Sequence, residues 1–288
     1  KLNKIKNLDL VESLNQHSEL QKLYQNNSLI STRMGCVESA FLVDYLFHYK
    51  IPSHLILEEN IDYYMRKNAG LYYKKEEEKE DIWEWWCQET KELIQEETIT
   101  SCYCVLQFDL ILWSLLGLKK TFYNYGFLPK IILQNSEGKK ILYIGNAVVS
   151  IKKAYEKGIH NMWNFKISNF EMYYLKTPQT TLECPYPDNS IKETCQYLEE
   201  EIKNKYGDFD TAILGCGAYG PPLINMLRKT FSNKNLIYLG SDCFKMFGVY
   251  SKGMPFTYCE EANTQNWIEV IEERPPGCEN HPEPKYWK

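Results

Sequence analysis

The chain has 288 residues, 44% of them hydrophobic and 25% charged, and a formal net charge of −5. This length can bury a large core, either as one α/β domain or as two smaller ones. Nucleic-acid-binding proteins usually carry a basic stripe, and the longest apolar runs fall short of the roughly 20 residues of a membrane helix, so we expect neither a nucleic-acid partner nor a membrane span.

Strand-like and helix-like segments alternate along the chain. This pattern predicts an α/β fold with a Rossmann-like, mostly parallel sheet and helices on both of its faces. The predicted strands are residues 28–33, 140–145, 170–175, 211–215 and 236–240. We expect a single domain that spans residues 1–288.

The segment 36–118, between the first two predicted strands, is mainly helix-like. We predict that it forms a helical N-terminal insertion or cap above the sheet and one wall of an acceptor site. Its most charged part, "KKEEEKEDIWEWWCQETKELIQEE", should be a helix with a solvated outer face, with Trp83, Trp85 and Trp86 packed inward.

The segment 263–288 contains four prolines and ends in "KYWK". We expect an irregular segment that wraps the surface and is anchored by Trp267, Tyr286 and Trp287.

The stretch "TAILGCGAYGPPLINML" places Gly215, Gly217 and Gly220 in the spacing G-x-G-x-x-G, between a strand-like and a helix-like run. In that context, a glycine turn can present backbone N–H groups to a phosphate. Asp242 is the nearest acidic residue that could hold a ribose, and it lies beyond the usual distance of a dinucleotide fold. A methyltransferase would carry an acidic residue where Ile213 stands. The pattern alone therefore leaves a nucleotide site and a packing turn both open.

The stretch "SLISTRMGCVESAFLVDYL" places Arg33, Gly35 and Glu38 where the first strand passes into a helix. Ligands of α/β enzymes bind at this edge of the sheet. Arg33 can pair with a diphosphate, and Glu38 can bind a divalent cation or orient a sugar hydroxyl. The alternative is an Arg33–Glu38 ion pair that caps the helix.

The stretch "YIGNAVVSI" brings Asn146 to the end of another predicted strand. Asn146 either adds a polar turn to the same edge of the sheet or simply caps the following helix. The five histidines form no recognisable nucleophile or metal arrangement, and no G-x-S-x-G elbow is present, so the sequence gives no support for a hydrolase triad.

The ten cysteines are scattered and contain no C-x-x-C pair. Cys102 and Cys104 share one strand face, but no second pair completes a zinc site. We expect structural thiols and therefore a reducing, cytoplasmic location. The first residues also lack the apolar core of a secretory signal.

Five segments, taken in order, resemble the GT-D type glycosyltransferases and, more closely, GT-D-like proteins of polysaccharide biosynthesis. They are "SLISTRMGCVE", similar to an R-x-G-x-x-E segment, then "KNAGLYY", "DFDTAILGCGAYGPPL", "LIYLGSDCFKMFG" and the closing "NWIEVIEERPPGCENHPEPKYW". The resemblance runs nearly from end to end. It implies a domain that binds a UDP-sugar or another nucleotide-sugar and passes the sugar to a hydroxyl of a glycan or glycoconjugate acceptor.

The resemblance also implies the site. The residues expected to bind the nucleotide-sugar are Arg33, Gly35, Asn146, Gly215, Gly217, Ala218, Tyr219, Gly220, Gly240 and Ser241. Glu38 and Asp242 are the candidates for the catalytic base. Glu38 is also the candidate ligand for Mn²⁺ or Mg²⁺, but Cys36 replaces the first acidic residue of the family's Asp-x-Glu motif. A lone carboxylate holds a hard cation weakly.

Two alternatives remain open from the sequence. One is a transferase or oxidoreductase with another Rossmann ligand, S-adenosylmethionine or NAD. The other is a non-catalytic scaffold in polysaccharide assembly, in which Cys36 marks a lost metal site. The oligomeric state is open, with a homo-oligomer among the options.

Overall fold

A parallel sheet of seven strands organises the chain. The structure, a computed structural model, describes residues 13–48, 61–96, 98–102, 111–112, 114–117, 122–124, 127–181, 184–251, 261–274 and 276–278. The strands are β1 Ile30–Thr32, β2 Ile99–Cys102, β3 Phe122–Asn124, β4 Lys140–Gly145, β5 Glu171–Lys176, β6 Thr211–Gly215 and β7 Asn235–Tyr238. Their order across the sheet is β3-β2-β1-β7-β6-β4-β5, and each neighbouring pair is parallel. All five predicted strands are confirmed.

Helices cover both faces of this sheet, as predicted. The described α-helices are α1 Ser13–Gln25, α2 Cys36–Phe47, α3 Ile61–Tyr64, α4 Lys79–Glu96, α5 Phe127–Gln134, α6 Val148–Gly158, α7 Ile191–Tyr206, α8 Gly220–Thr230 and α9 Asp242–Met246. Side chains of β4 alternate between two apolar cores, with Leu142 and Ile144 in one and Ile141 and Tyr143 in the other. Helices α2, α4, α7 and α8 pack into the first core, and α1, α5, α6 and α9 pack into the second. The α/β, Rossmann-like fold is therefore confirmed.

The sheet has a topological switch point between β4 and β6. From β4 the chain runs through α6 outward to β5, whereas from β6 it runs through α8 in the opposite direction to β7. The last residues of the two strands, Gly145 and Gly215, are register partners. In open α/β sheets, the connections diverge at such a point and leave a crevice outside the carboxyl ends of the strands, where ligands bind.

The predicted helical segment 36–118 is only partly helical. It contains α2, α3 with its continuation as a π-helix over Met65–Ala69, and α4. Strand β2 at Ile99–Cys102 interrupts it and returns the chain to the main sheet, and residues 111–112 and 114–116 are helical again. Parallel neighbours need a long crossover, and α2 and α4, which belong to the crossover from β1 to β2, pack into the first core together with α7 and α8.

The tryptophans of α4 pack inward, as predicted. Trp86 is fully buried, while Trp83 and Trp85 pack against the same core. The indole Nε1 of Trp86 donates a hydrogen bond of 2.7 Å to the backbone oxygen of Ala218. Helix α4 is thereby joined directly to the glycine-rich turn after β6.

The C-terminal segment is more regular than predicted. Residues Ile268–Glu269 form β9, which pairs in parallel with β8 at Val249–Tyr250 in a second, two-stranded sheet. Trp267 anchors the segment, since its Nε1 donates to the backbone oxygen of Met162 at 3.1 Å. Tyr286 and Trp287 lie outside the described residues.

The cysteines are not all thiols. Five of them are free thiols, as predicted, namely Cys36, Cys87, Cys195, Cys216 and Cys243. The prediction is wrong for Cys184 and Cys278, which form a disulfide because the fold brings their Cα atoms to 4.7 Å across a separation of 94 residues. Sequence spacing carries no sign of so distant a pair.

The described helices include none that is long and apolar enough to cross a membrane.

Candidate functional site

A cleft lies at the carboxyl edge of the sheet, outside the switch point. Its cavity volume is about 170 Å³, below the roughly 300–1,000 Å³ that is typical of small-molecule sites. The loops after β1, β4, β5, β6 and β7 all contribute to it. Nine of the residues predicted from sequence line this one cleft: Arg33, Gly35, Glu38, Asn146, Gly215, Gly217, Tyr219, Gly240 and Ser241.

The glycine-rich turn serves both as a wall of the cleft and as a packing element. Gly217 has φ +57°, and a Cβ atom there would collide with the backbone oxygen of Ala69 at the end of the π-helix. The turn is therefore in direct contact with the insertion. The side chain of Tyr219, two residues later, donates from its hydroxyl to Oγ1 of Thr180 at 3.0 Å.

Two of the predicted turn residues are not among the described residues that line the cleft. Ala218 is fully buried, and its carbonyl accepts the Trp86 hydrogen bond. Gly220 faces the ring of Tyr238, since an added Cβ atom would approach that ring to 2.5 Å. Both positions hold the turn against its surroundings and leave Gly215, Gly217 and Tyr219 to face the cleft.

Arg33 brings a positive charge to the cleft. It is 7% exposed, and its guanidinium Nη2 lies 3.4 Å from Oδ2 of Asp242. The other carboxylate oxygen of Asp242 lies 3.1 Å from Nζ of Lys245. Asp242 is 6% exposed and is not among the described residues that line the cleft. It therefore stands behind Arg33 and fixes the position of the guanidinium.

Glu38 brings a buried carboxyl group to the cleft. It is the third residue of α2 and 8% exposed, and its carboxyl group lies over Gly35, where an added Cβ atom would collide with it. The hydroxyl of Tyr238 donates to Oε1 at 3.4 Å. Burial raises the pKa of Glu38, while a backbone hydrogen bond and the charge of Arg33 act in the opposite direction.

Asn146 does not cap the helix that follows it, so that alternative is wrong. The N-cap of α6 is Ala147, which makes no side-chain cap hydrogen bond. Asn146 instead donates from Nδ2 to Oε1 of Gln179 at 2.8 Å, and Gln179 donates from Nε2 to Oγ1 of Thr181 at 3.2 Å. Asn146 thus ties the loop after β4 to the loop after β5.

Sequence reasoning missed two parts of the cleft. One is the loop "TPQTT", residues 177–181, which follows β5. The sequence feature that could have identified this loop is a run of polar residues directly after a predicted strand. The other part is residues 68–70, at the end of the π-helix; Thr180 connects the two parts by donating from Oγ1 to the backbone oxygen of Gly70 at 2.8 Å. The segment "KNAGLYY" carried the resemblance, but its residues were not placed in the site.

Glu38 and Cys216 supply the one carboxyl group and the one thiol among the described residues that line the cleft. The described residues contain no group of three or more histidine, cysteine, aspartate or glutamate side chains placed to hold a metal. Cys36, the first residue of α2, is a partly exposed free thiol. Cys216 lines the cleft, but burial raises its pKa well above the ordinary value, so the thiol stays protonated at neutral pH.

No protein-family model, no curated protein and no solved structure matches the chain. The resemblance to the GT-D type glycosyltransferases therefore has only the sequence segments behind it. The described residues that line the switch-point cleft bring together the cation Arg33, the buried carboxyl group of Glu38 and the side-chain amides of Asn146 and Gln179. These groups are the physical basis for a function.

Proposed function

We propose that the protein is a nucleotide-sugar-dependent glycosyltransferase of GT-D-like fold, which moves a sugar to a hydroxyl of a glycan or glycoconjugate in polysaccharide biosynthesis. One observation carries the proposal. Arg33, Glu38, Asn146 and the glycine turn come from distant parts of the chain and all line one cleft at the switch point of a parallel sheet. Nucleotide ligands of such sheets bind at this position.

Arg33 is the group that binds the donor diphosphate. A guanidinium presents a planar set of N–H donors that matches phosphate oxygens, and the ion pair with Asp242 holds it in place. Negative charge grows on the nucleoside diphosphate as it leaves the sugar. A fixed cation beside it stabilises that charge without having to move.

Glu38 is the candidate base for the acceptor hydroxyl. Its raised pKa increases the proton affinity of the carboxylate, which favours removal of a proton in the transition state. Asp242 is engaged by both Arg33 and Lys245 and serves as a positioning residue. Asn146 and Gln179 line the same cleft, and their side-chain amides supply hydrogen bonds to sugar hydroxyls.

Mn²⁺ or Mg²⁺ is not needed for this proposal. Glu38 is a single carboxylate, and its charged form already interacts with Arg33 and Tyr238.

The proposal also includes a cytoplasmic location. The five free thiols favour a reducing compartment, whereas the Cys184–Cys278 disulfide is of a kind more usual in oxidising ones. Protein blocked with a thiol-alkylating reagent at the moment of cell lysis, then separated on a non-reducing gel, shows which form the cell maintains.

Thermal unfolding with added ligands tests the function. UDP and UDP-sugars should raise the melting temperature by mass action, with or without Mn²⁺, whereas S-adenosylmethionine and NAD should not. Arg33→Ala should weaken UDP binding by roughly 10- to 100-fold, the loss of charge-assisted hydrogen bonds. If no nucleoside diphosphate or nucleotide-sugar stabilises the protein, the proposal fails, and stabilisation by S-adenosylmethionine alone would make it a different transferase.

A further inference from the structure

A second groove opens beside the cleft. It has a cavity volume of about 320 Å³ and shares with the cleft the residues Asn146, Thr177, Pro178 and Gln179. The Asn146–Gln179 hydrogen bond therefore lies where the two spaces meet. A molecule in the groove lies next to a molecule in the cleft, which is what a transfer between two bound reactants requires.

The groove has two walls from distant parts of the chain. One is the loop after β5, with Pro185, Tyr186 and Pro187; the other carries Glu272 and Glu273. The Cys184–Cys278 disulfide links the two segments just beyond the groove. The structure thus holds the walls at a set separation by a covalent bond.

The first wall offers flat apolar surface. The ring of Tyr186 is partly exposed and stacks on Tyr72, with ring centroids 4.5 Å apart and an interplanar angle of 18°. Its hydroxyl accepts a hydrogen bond of 3.3 Å from Nη2 of Arg66. A ring held at both its face and its hydroxyl, between two prolines, is a rigid platform for apolar faces of a ligand.

The second wall offers carboxylates. Glu272 is 6% exposed, and its oxygens accept from the backbone N–H and the hydroxyl of Ser150, so it is committed to the start of α6. Glu273 is exposed to solvent. Lys176 is the one cationic residue among the described residues that line the groove. The balance of charge therefore disfavours phosphate or carboxylate ligands, while sugar hydroxyls can donate to Glu273.

We propose that this groove is the acceptor subsite and that it takes a neutral saccharide. The C–H faces of the sugar rings pack on Tyr186 and the prolines, and their hydroxyls bond to Glu273 and Gln179. The role as acceptor rests on the proposed function. Binding of the saccharide itself does not, because the groove is complete without a nucleotide.

Binding of the labelled full-length chain to an array of neutral, sulfated, phosphorylated and carboxylated glycans tests the inference. Neutral glycans should bind, and Tyr186→Ala should reduce their apparent affinity by about tenfold. Tyr186→Phe keeps the stacked ring and should retain most of the binding. Tyr197→Ala, at an exposed tyrosine of α7, is the matched control and should bind like the unchanged chain. The inference is overturned if no neutral glycan binds, or if Tyr186→Ala binds as well as the control.

Two further measurements separate this inference from the donor function. UDP should raise the melting temperature of Tyr186→Ala as much as that of the unchanged chain. If glycans bind at Tyr186 but UDP has no effect on the melting temperature, the groove is a saccharide site and the proposed donor function is wrong. Glu273→Lys should shift the preference on the array toward anionic glycans. If the preference does not change, the charge of Glu273 does not select the ligand, and the groove is not restricted to neutral saccharides.

Discussion

The guanidinium of Arg33 lies directly against Gly240: a Cβ atom added to Gly240 would come within 2.6 Å of Nη1. Gly240 follows β7 with φ +57°, a left-handed conformation that favours glycine. The loop after β7 therefore leaves room for the guanidinium on one side, while Asp242 pairs with it on another. The position of Arg33, the cation proposed to bind the diphosphate, therefore depends on glycine having no side chain at position 240.

Replacing Gly240 by alanine should disturb both stability and nucleotide binding. The left-handed conformation costs roughly 1–2 kcal/mol with a Cβ atom present, and the displaced guanidinium should weaken UDP binding roughly tenfold or more. Urea unfolding and titration calorimetry measure the two effects.

Gly138→Ala is the matched control for Gly240→Ala. Gly138 has φ +69°, and an added Cβ atom there would meet nothing within 4 Å. It should lose stability to the same backbone strain and keep its affinity for UDP. If the two variants bind UDP with equal affinity, Gly240 does not determine the position of Arg33.

The pKa of Glu38 leads to a pH-dependent difference between the protein and its Glu38→Gln variant. Burial raises this pKa in the folded state, so the folded protein binds the proton more tightly than the unfolded chain. The free energy of unfolding of the unchanged protein should therefore fall relative to Glu38→Gln as pH rises from the unfolded pKa through the folded one. The change is about 1.4 kcal/mol for each unit by which the two pKa values differ.

Urea unfolding of both proteins between pH 4 and pH 8 measures this difference. The free energy of unfolding of Glu38→Gln should rise relative to that of the unchanged protein as pH increases toward neutral, and the difference should then level off. Glu19→Gln, at an exposed position of α1, is the control and should follow the unchanged protein. A gap that stays constant across the range, or widens toward acid pH, would contradict a raised pKa at Glu38.

The sequence predicted five of the seven strands of the main sheet and nine of the twenty described residues that line the cleft, because these depend on local pattern. Strands β4 and β6 are continuous apolar runs that end in glycine, and parallel strands end at the same edge. Strands β2 and β3 were not predicted, and their length of four and three residues is not the reason, since β1 was predicted and has only three. The loop 177–181 was missed because its place in the cleft follows from β5 lying beside β4, a fact of strand order.

The partners of the charged residues were beyond the sequence. Arg33 and Asp242 meet because β1 and β7 are neighbours in the sheet, although more than two hundred residues separate them. An Arg33–Glu38 ion pair was one of the alternatives open from the sequence, and the charge of Arg33 does act on Glu38. Glu38 also accepts a hydrogen bond from Tyr238, the last residue of β7.

The exchange Cys36→Asp tests whether the cleft retains the capacity for a metal. It would place a second carboxylate two residues before Glu38, at the first turn of α2. Mn²⁺ should then increase the stabilisation that UDP provides, whereas in the unchanged protein Mn²⁺ and EDTA should leave it the same. Cys36→Ser is the control. If the melting temperature of Cys36→Asp responds to neither Mn²⁺ nor UDP, the result favours the non-catalytic scaffold. If the unchanged protein already depends on Mn²⁺, Glu38 holds a metal ion with Cys36 in place of the aspartate.

The Cys184–Cys278 disulfide should stabilise the fold and the groove separately from the cleft. It closes a loop across 94 residues of sequence, for which a stabilisation of about 2–4 kcal/mol is typical. Reduction should lower the melting temperature by several degrees and weaken binding of neutral glycans, because the wall with Tyr186 and the wall with Glu273 are no longer joined. The increase in melting temperature caused by UDP should stay the same, since Arg33 and the glycine turn lie on other elements.

The double variant Cys184→Ser and Cys278→Ser should resemble the reduced protein and no longer respond to reductant. If the double variant has the melting temperature and the glycan affinity of the oxidised protein, the disulfide stabilises neither the fold nor the groove.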